Sequence, residues 1–329
     1  MHNLITDVPG VNVGHAEDAR LGSGATAIVF DEPVVGSVDL RGGGPGTRES
    51  ALLDPAQTVE GIDAIALSGG SAFGLDTGSG VQAWLKEQGR GYPVRSARVP
   101  IVPGAILFDL LNGGDKEWGR YPPYRELGYA AAAAAGSDFA LGSVGAGAGA
   151  TTVNCKGGIG SASAQTADGH VIGAIAAVNP AGSVLVDRGP WFWAAPFEAN
   201  GEFGGCGLPA RFPPAALEPW TKGGTGESTT LVVVATDAVL TKAQAKRLAV
   251  MAQSGLSRAI YPVHSPLDGD VVFAASTGRR PLADAHLGLT RLGTIAANVV
   301  ARAVARGVFE ASALPFPGAL PSWKDQFGR

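Results

Sequence analysis

The chain has 329 residues, 45% of them hydrophobic and 16% charged, which supplies a large core and excludes a disordered chain. A net charge of -4 without any basic cluster argues against nucleic acid as a partner. Cys155 and Cys206 lack CxxC spacing, so neither a zinc site nor a disulfide framework is indicated. The length suits two domains or one large unit, and the 49 glycines and 22 prolines fall in discrete turns, favouring many short strands. Residues 1–7 lack the basic and apolar regions of a signal peptide, and no apolar run reaches the ~18 residues of a membrane span. A cytosolic protein with free thiols and no membrane contact is expected.

In chain order, residues 10–13 and 25–30 read as short strands. Residues 39–49 form a glycine-rich loop bracketed by Arg41 and Arg48; a turn with surface ion pairs would explain it, but its glycine density favours an oxyanion or substrate loop. A strand at 64–67 runs through Ser68-Gly69-Gly70-Ser71 into a helix carrying Val81, Trp84 and Leu85. That outline resembles a phosphate loop without its Gly-Lys-Ser/Thr ending, so nucleotide binding is not expected. A strand enters a loop within 99–111, where Phe108 and Asp109 lie. An alanine-rich helix follows over 127–135, then strands at 157–164 and 171–178, closed by the Asn179-Pro180 turn. Trp191, Phe192 and Trp193 read as packing residues.

Residues 208–228 are rich in Pro and Gly and read as an exposed loop feeding the β-branched run at 231–234. That junction sets the hydroxyl of Thr229 at the mouth of a strand. Threonine commonly starts a strand for its β propensity alone. The alternative is an N-terminal nucleophile: attack of Thr229 on the Ser228 carbonyl, then ester hydrolysis, would free an amine of pKa ~8 that can act as the base. Thr241-Lys242-Ala243-Gln244 fits a capping box before a helix with apolar Ala245, Leu248, Ala249, Ala252 and Leu256. A strand at 271–274 and a small-residue helix over 288–308 complete an α+β arrangement. Asp268 and Asp270, two apart in an extended stretch, can face one side, although Asp-Gly is also a common turn. Two carboxylates are too few for a calcium loop. Lys156 can donate to an oxyanion or sit at the surface, and His264 reads as structural.

The ordered set 228–237, 264–273, 6–15, 39–43, 68–75 and 178–180 resembles the DmpA family of L-aminopeptidase/D-esterase/amidases, β-peptidyl aminopeptidases and nylon-oligomer hydrolases over nearly the whole chain. The resemblance implies a single domain, 1–329, folded as a four-layer αββα sandwich of the DmpA/ornithine acetyltransferase type, Ntn-hydrolase-like with different connectivity. It implies self-cleavage between Ser228 and Thr229 into chains 1–228 and 229–329, with Thr229 the nucleophile. Lys156 and Asn179 match the family's catalytic lysine and asparagine, and Asp268 and Asp270 the acidic pair of the nylon-oligomer hydrolases. Phe108, Gly69, Gly70 and Phe73 are the candidate substrate-binding residues. Neither a metal nor an organic cofactor is implied; a small peptide or amide-oligomer substrate is, and a homotetramer of processed heterodimers. Two departures stand out: Ser228 where relatives often carry Asn or Gly, and Phe108 where several carry Tyr. An ornithine acetyltransferase-like acyltransferase and an unprocessed binding protein are the alternatives.

Overall fold

The computed structural model describes residues 1–222 and 228–328. Gly223, Gly224, Gly226 and Glu227 of the expected approach loop lie outside the described residues. The strands are β1 (Val11–Asp18), β2 (Ser23–Leu40), β3 (Gly46–Arg48), β4 (Gly61–Ser68), β5 (Tyr92–Val94), β6 (Ala97–Val99), β7 (Gly104–Ile106), β8 (Ile159–Gln165), β9 (Val171–Asn179), β10 (Thr229–Ala238) and β11 (Val271–Arg280). The helices are α1 (Thr77–Glu87), α2 (Tyr124–Ala133), α3 (Lys242–Ala259), α4 (Ala285–Phe309) and α5 (Trp323–Phe327). Strand order is β3-β7-β4-β2-β11-β10-β9-β8, with β1 paired to β2; β5 and β6 form a separate hairpin.

Three apolar cores separate four layers. One lies under α1 and α2, where Val81, Leu85, Ala131 and Ala132 meet Ala25, Ala27, Ala64 and Ala66. The middle core holds Ile28, Phe30, Ile65 and Leu67 against Ile175, Leu231, Val233 and Phe273. The third packs Val232, Val234, Ala174 and Val272 against α3 and α4. The molecule is an α+β sandwich of the αββα kind. Its two β-layers are joined by β2, whose 18 residues pair with β1 in the first half, with β11 from Val35 to Leu40, and with β4 on both sides of a register shift between Val29 and Val34. The sequence suggested only a short strand here, because the polar break Asp31-Glu32-Pro33 interrupts the apolar alternation.

All ten residues of β10 are buried, since cores lie on both faces. Alternation puts Thr229 on the face of Leu231 and Val233, toward the middle core, and Thr230 on the face of Val232 and Val234. The Thr241 cap forms as read: its hydroxyl accepts from the Gln244 N–H, and the Gln244 side chain reaches back to the Thr241 N–H. On α4 the small residues allow close approach, for a Cβ at Gly160 of β8 would strike the Ala303 carbonyl. By length and hydropathy α4 could cross a membrane, contrary to the sequence reading, but it is mostly buried inside the protein. Its Arg302 and Arg306 are held in the interior by Glu202, the signature of a core helix. Both cysteines are free, Cys155 buried and Cys206 exposed. Phe192 packs edge-on to Phe203 and stacks on Trp323, and Trp193 stacks on Phe212.

Candidate active site

The end of β9, the start of β10 and the loop before β11 meet at one edge of the middle core. Thr229 pairs with Asn179 across the antiparallel β9–β10 ladder, and Ser228 bridges Asp268 in the parallel direction. Asn179 and Thr229 are thus neighbours on one face, brought together from 50 residues apart by strand register.

The Thr229 hydroxyl donates to the Ser228 carbonyl oxygen at 2.6 Å. That same oxygen accepts the Gly269 N–H at 2.9 Å. The peptide bond between Ser228 and Thr229 therefore has a hydroxyl against it and a backbone donor on its oxygen. Glycine is required at 269 on steric grounds, because a Cβ there would sit 2.5 Å from Thr229 Oγ1. The hydroxyls of Ser228 and Thr230 are buried with no hydrogen-bond partner among the described residues.

The two aspartates do separate work. Asp268 accepts from the Ala181 N–H (2.9 Å) and from Ser265 through N–H (3.1 Å) and Oγ (2.6 Å). Burial, followed by the neighbouring Asp270 carboxylate, pushes the Asp268 pKa up. Asp270 accepts the Thr230 N–H at 2.9 Å on one oxygen and His264 Nδ1 at 2.9 Å on the other. His264 holds a left-handed φ of 55° and acts as the brace of Asp270. The glycine loop at 39–49 is spent on the same place. The N–H groups of Gly42, Gly43 and Gly44 donate to the carbonyls of Asp270, Ser265 and Asp268, and a Cβ at Gly42 would collide with the Asp270 N–H. It is a clamp on the aspartate loop, and these N–H groups are engaged rather than open to substrate.

Asn179 Nδ2 donates to the Phe108 carbonyl at 3.0 Å, and its Oδ1 accepts from the Thr151 N–H at 2.9 Å and from Lys222 Nζ at 3.0 Å. Beside it opens a cavity of about 290 Å³. Asp109, Thr151, Lys156 and Lys222 are its polar lining residues, and Phe108, Leu111, Leu314, Pro317 and Leu320 its apolar ones. Lys156 is only 1% exposed and donates to the carbonyls of Gly147 (2.9 Å) and Gly157 (2.7 Å). Burial pulls its pKa down to about 7, partly opposed by the charge of Asp109. Asp109 is itself buried, accepting from Ser23 Oγ (2.6 Å) and the Gly70 N–H (2.7 Å); burial nonetheless pushes its pKa up.

Of the sequence-derived site residues, Ser228, Thr229, Asn179, Asp268 and Asp270 meet directly, and Lys156 and Phe108 line the adjoining cavity. Gly69 and Gly70 do not line it. They back onto Asp109 and Tyr124, where any Cβ would overlap those side chains. Phe73 is half-exposed against Trp118, at 5.4 Å between ring centroids. Sequence reasoning missed Gly269, Asp109, Thr151 and Lys222 as members of the site. Gly269 was visible between two acids, and Lys222 as a cation within the Pro/Gly-rich loop.

The family model for peptidase family S58 matches residues 3–318. The chain belongs to this peptidase family. Family membership makes it a hydrolase of peptide or amide bonds. Among similar proteins, an uncharacterized aminopeptidase of Mycobacterium tuberculosis is 44% identical, covering 99% of this chain and 98% of the relative. A 6-aminohexanoate-oligomer endohydrolase of a Kocuria species is 29% identical, covering 91% of this chain and 84% of the relative. In fold, a Burkholderia β-aminopeptidase superposes with a TM-score of 0.73 at 23% identity, covering 100% of this chain and 92% of its own. The L-aminopeptidase D-Ala-esterase/amidase of Ochrobactrum anthropi, described as a variant of the Ntn-hydrolase fold, gives 0.68 at 21% identity, covering 99% and 94%.

Proposed function

We propose that this peptidase S58 member cuts its own chain between Ser228 and Thr229, and that the freed Thr229 then hydrolyses small peptides or ω-amino-acid oligomers through an acyl-enzyme. The carrying observation is the Thr229 hydroxyl 2.6 Å from a Ser228 carbonyl oxygen that also accepts the Gly269 N–H. In processing, Thr229 Oγ1 attacks the Ser228 carbonyl carbon and the carbonyl oxygen takes the negative charge beside the Gly269 donor. The C–N bond breaks with the proton passing to the Thr229 nitrogen, leaving an ester. Water then splits the ester into the Ser228 carboxylate and a threonine with a free amine.

That amine, of pKa ~8 when unperturbed, takes the hydroxyl proton as Oγ1 attacks a substrate amide. The proton goes on to the leaving amine, and water releases the acyl group. Asn179 is the oxyanion donor for this cycle, and the adjoining cavity receives the acyl group. Lys156, its pKa lowered to about 7, suits proton exchange at neutral pH on the cavity wall. Asp270 fixes the backbone of Thr230 and so the aim of Thr229. Phe108 offers no hydroxyl, so the donors are Asn179 and main-chain N–H groups. The assembly we infer is a cytoplasmic homotetramer of processed heterodimers.

Intact-mass measurement of purified protein beside Thr229→Ala tests the reading. Two chains, 1–228 and 229–329, from the wild type and one from the variant are expected. A wild type that stays whole, or a Thr229→Ala chain that still divides, would sink it.

A further inference from the structure

The amide oxygen of Asn179 is held from two directions, by the Thr151 N–H at 2.9 Å and by the Lys222 ammonium at 3.0 Å. Lys222 Nζ also reaches the Asn179 main-chain carbonyl at 3.5 Å, and the Lys222 N–H donates to the Ala181 carbonyl at 3.0 Å. Lys222 is thus docked along the end of β9 by backbone and side chain together. Its side chain forms part of the cavity wall.

An asparagine side chain can present either oxygen or nitrogen toward a site. Two donors on Oδ1 settle the choice and leave Nδ2 facing the Phe108 side. The Thr151 N–H alone would set that orientation. The ammonium sets a positive charge beside the amide oxygen, which draws electron density from Nδ2 and makes its N–H groups stronger donors. Such a gain is expressed where negative charge develops. The geometry points to Lys222 as a positioning residue, one that holds and polarises the Asn179 amide for the acyl oxygen of the substrate. This rests on Thr229 being the nucleophile and Asn179 its oxyanion donor.

A cation on a cavity wall also suits a substrate carboxylate, and the two roles separate in kinetics. Polarising an oxyanion donor acts in the transition state and appears in kcat; binding a carboxylate acts on the ground state and appears in KM. The test uses full-length Lys222→Met and Lys222→Arg, checked for self-cleavage by intact mass and for folding by Tm. Each is then assayed on an amino-acid p-nitroanilide and a 6-aminohexanoate oligomer. On whichever probe the wild type turns over, Lys222→Met is expected to be cut normally, keep KM and lose about 10- to 100-fold in kcat. Lys222→Arg is expected to recover most of that loss. Should the methionine chain not fold, Lys222→Gln, which keeps a donor without the charge, carries the same expectation. An unchanged kcat, or a raised KM at constant kcat, overturns the assignment. So does a folded Lys222→Met that no longer cuts itself, because the processing oxyanion lies on Gly269 rather than on Asn179. A wild type that is whole and inactive on both probes defeats the nucleophile reading and takes this one with it.

Discussion

Gly269→Ala places one methyl group against the proposed nucleophile while leaving the main-chain donor to Ser228 in place. The new Cβ would lie 2.5 Å from Thr229 Oγ1 and 2.8 Å from the Gly44 carbonyl oxygen, both below any tolerable contact. The Gly44 side is backbone, itself clamped to the aspartate loop, so the free response is for the threonine hydroxyl to swing away. Turning a side chain off its rotamer costs about 0.5–1.5 kcal/mol, a tolerable loss for the fold. Displacing a reacting atom by about 1 Å costs about 100-fold in rate. Self-cleavage should therefore slow by about two orders of magnitude, and Tm should fall as well, because the contact with the Gly44 carbonyl is relieved only by moving backbone. The assay is the time course of conversion of freshly purified whole chain, followed by intact mass. Gly44→Ala is the control, since a Cβ there meets nothing nearer than the Asp268 carbonyl at 3.9 Å. A folded Gly269→Ala that divides at the wild-type rate would refute the reasoning, for the attacking group would then not be the hydroxyl in this position.

The remaining predictions probe the residues around it. Lys156 titrates near pH 7 when folded and near ~10.4 when unfolded, so across that window the folded state binds fewer protons and stability rises with pH, by about 1.4 kcal/mol per unit from this group. Urea unfolding of wild type and Lys156→Met from pH 6 to 10 should show that slope only in the wild type; parallel curves would contradict it. Asp270→Ala strips the acceptor from the Thr230 N–H and from His264 Nδ1, each unpaired group costing about 1–3 kcal/mol. A clear drop in Tm and slower processing are expected, and an unchanged thermal scan would count against the bracing role. Leu320→Trp fills the apolar wall of the cavity and should raise KM for long amide oligomers more than for short ones, whereas an equal effect on both would place the acyl group elsewhere.

Local rules carried much of the fold into the sequence. The Thr241 cap, the apolar stripe of α3 and the small-residue face of α4 were legible because each depends on spacing within a single helix. Thr229 was legible as a strand start since a β-branched run follows a Pro/Gly-rich approach. The length of β2 was not, because its polar break at 31–33 is an irregularity in the β2–β4 ladder and only the pairing on both sides of it reveals one strand. The glycine loop at 39–49 misled for a related reason. Glycine density announces close approach, but not whether a ligand or another segment does the approaching; here it is the chain at 265–270.

The sequence by itself determined the chemistry available: one threonine at a strand mouth, a lysine, an asparagine and two aspartates, in an order that carries the family. These are properties of residue type and short-range pattern. Tertiary structure alone decided that the Ser228 carbonyl would receive both the Thr229 hydroxyl and the Gly269 N–H, and that Asn179 would lie across the ladder from Thr229. It also decided that burial would bring Lys156 to a pKa of about 7. Register between strands far apart in the chain, and exclusion of water by layers packed on both sides, are set by the whole core and leave no local signature.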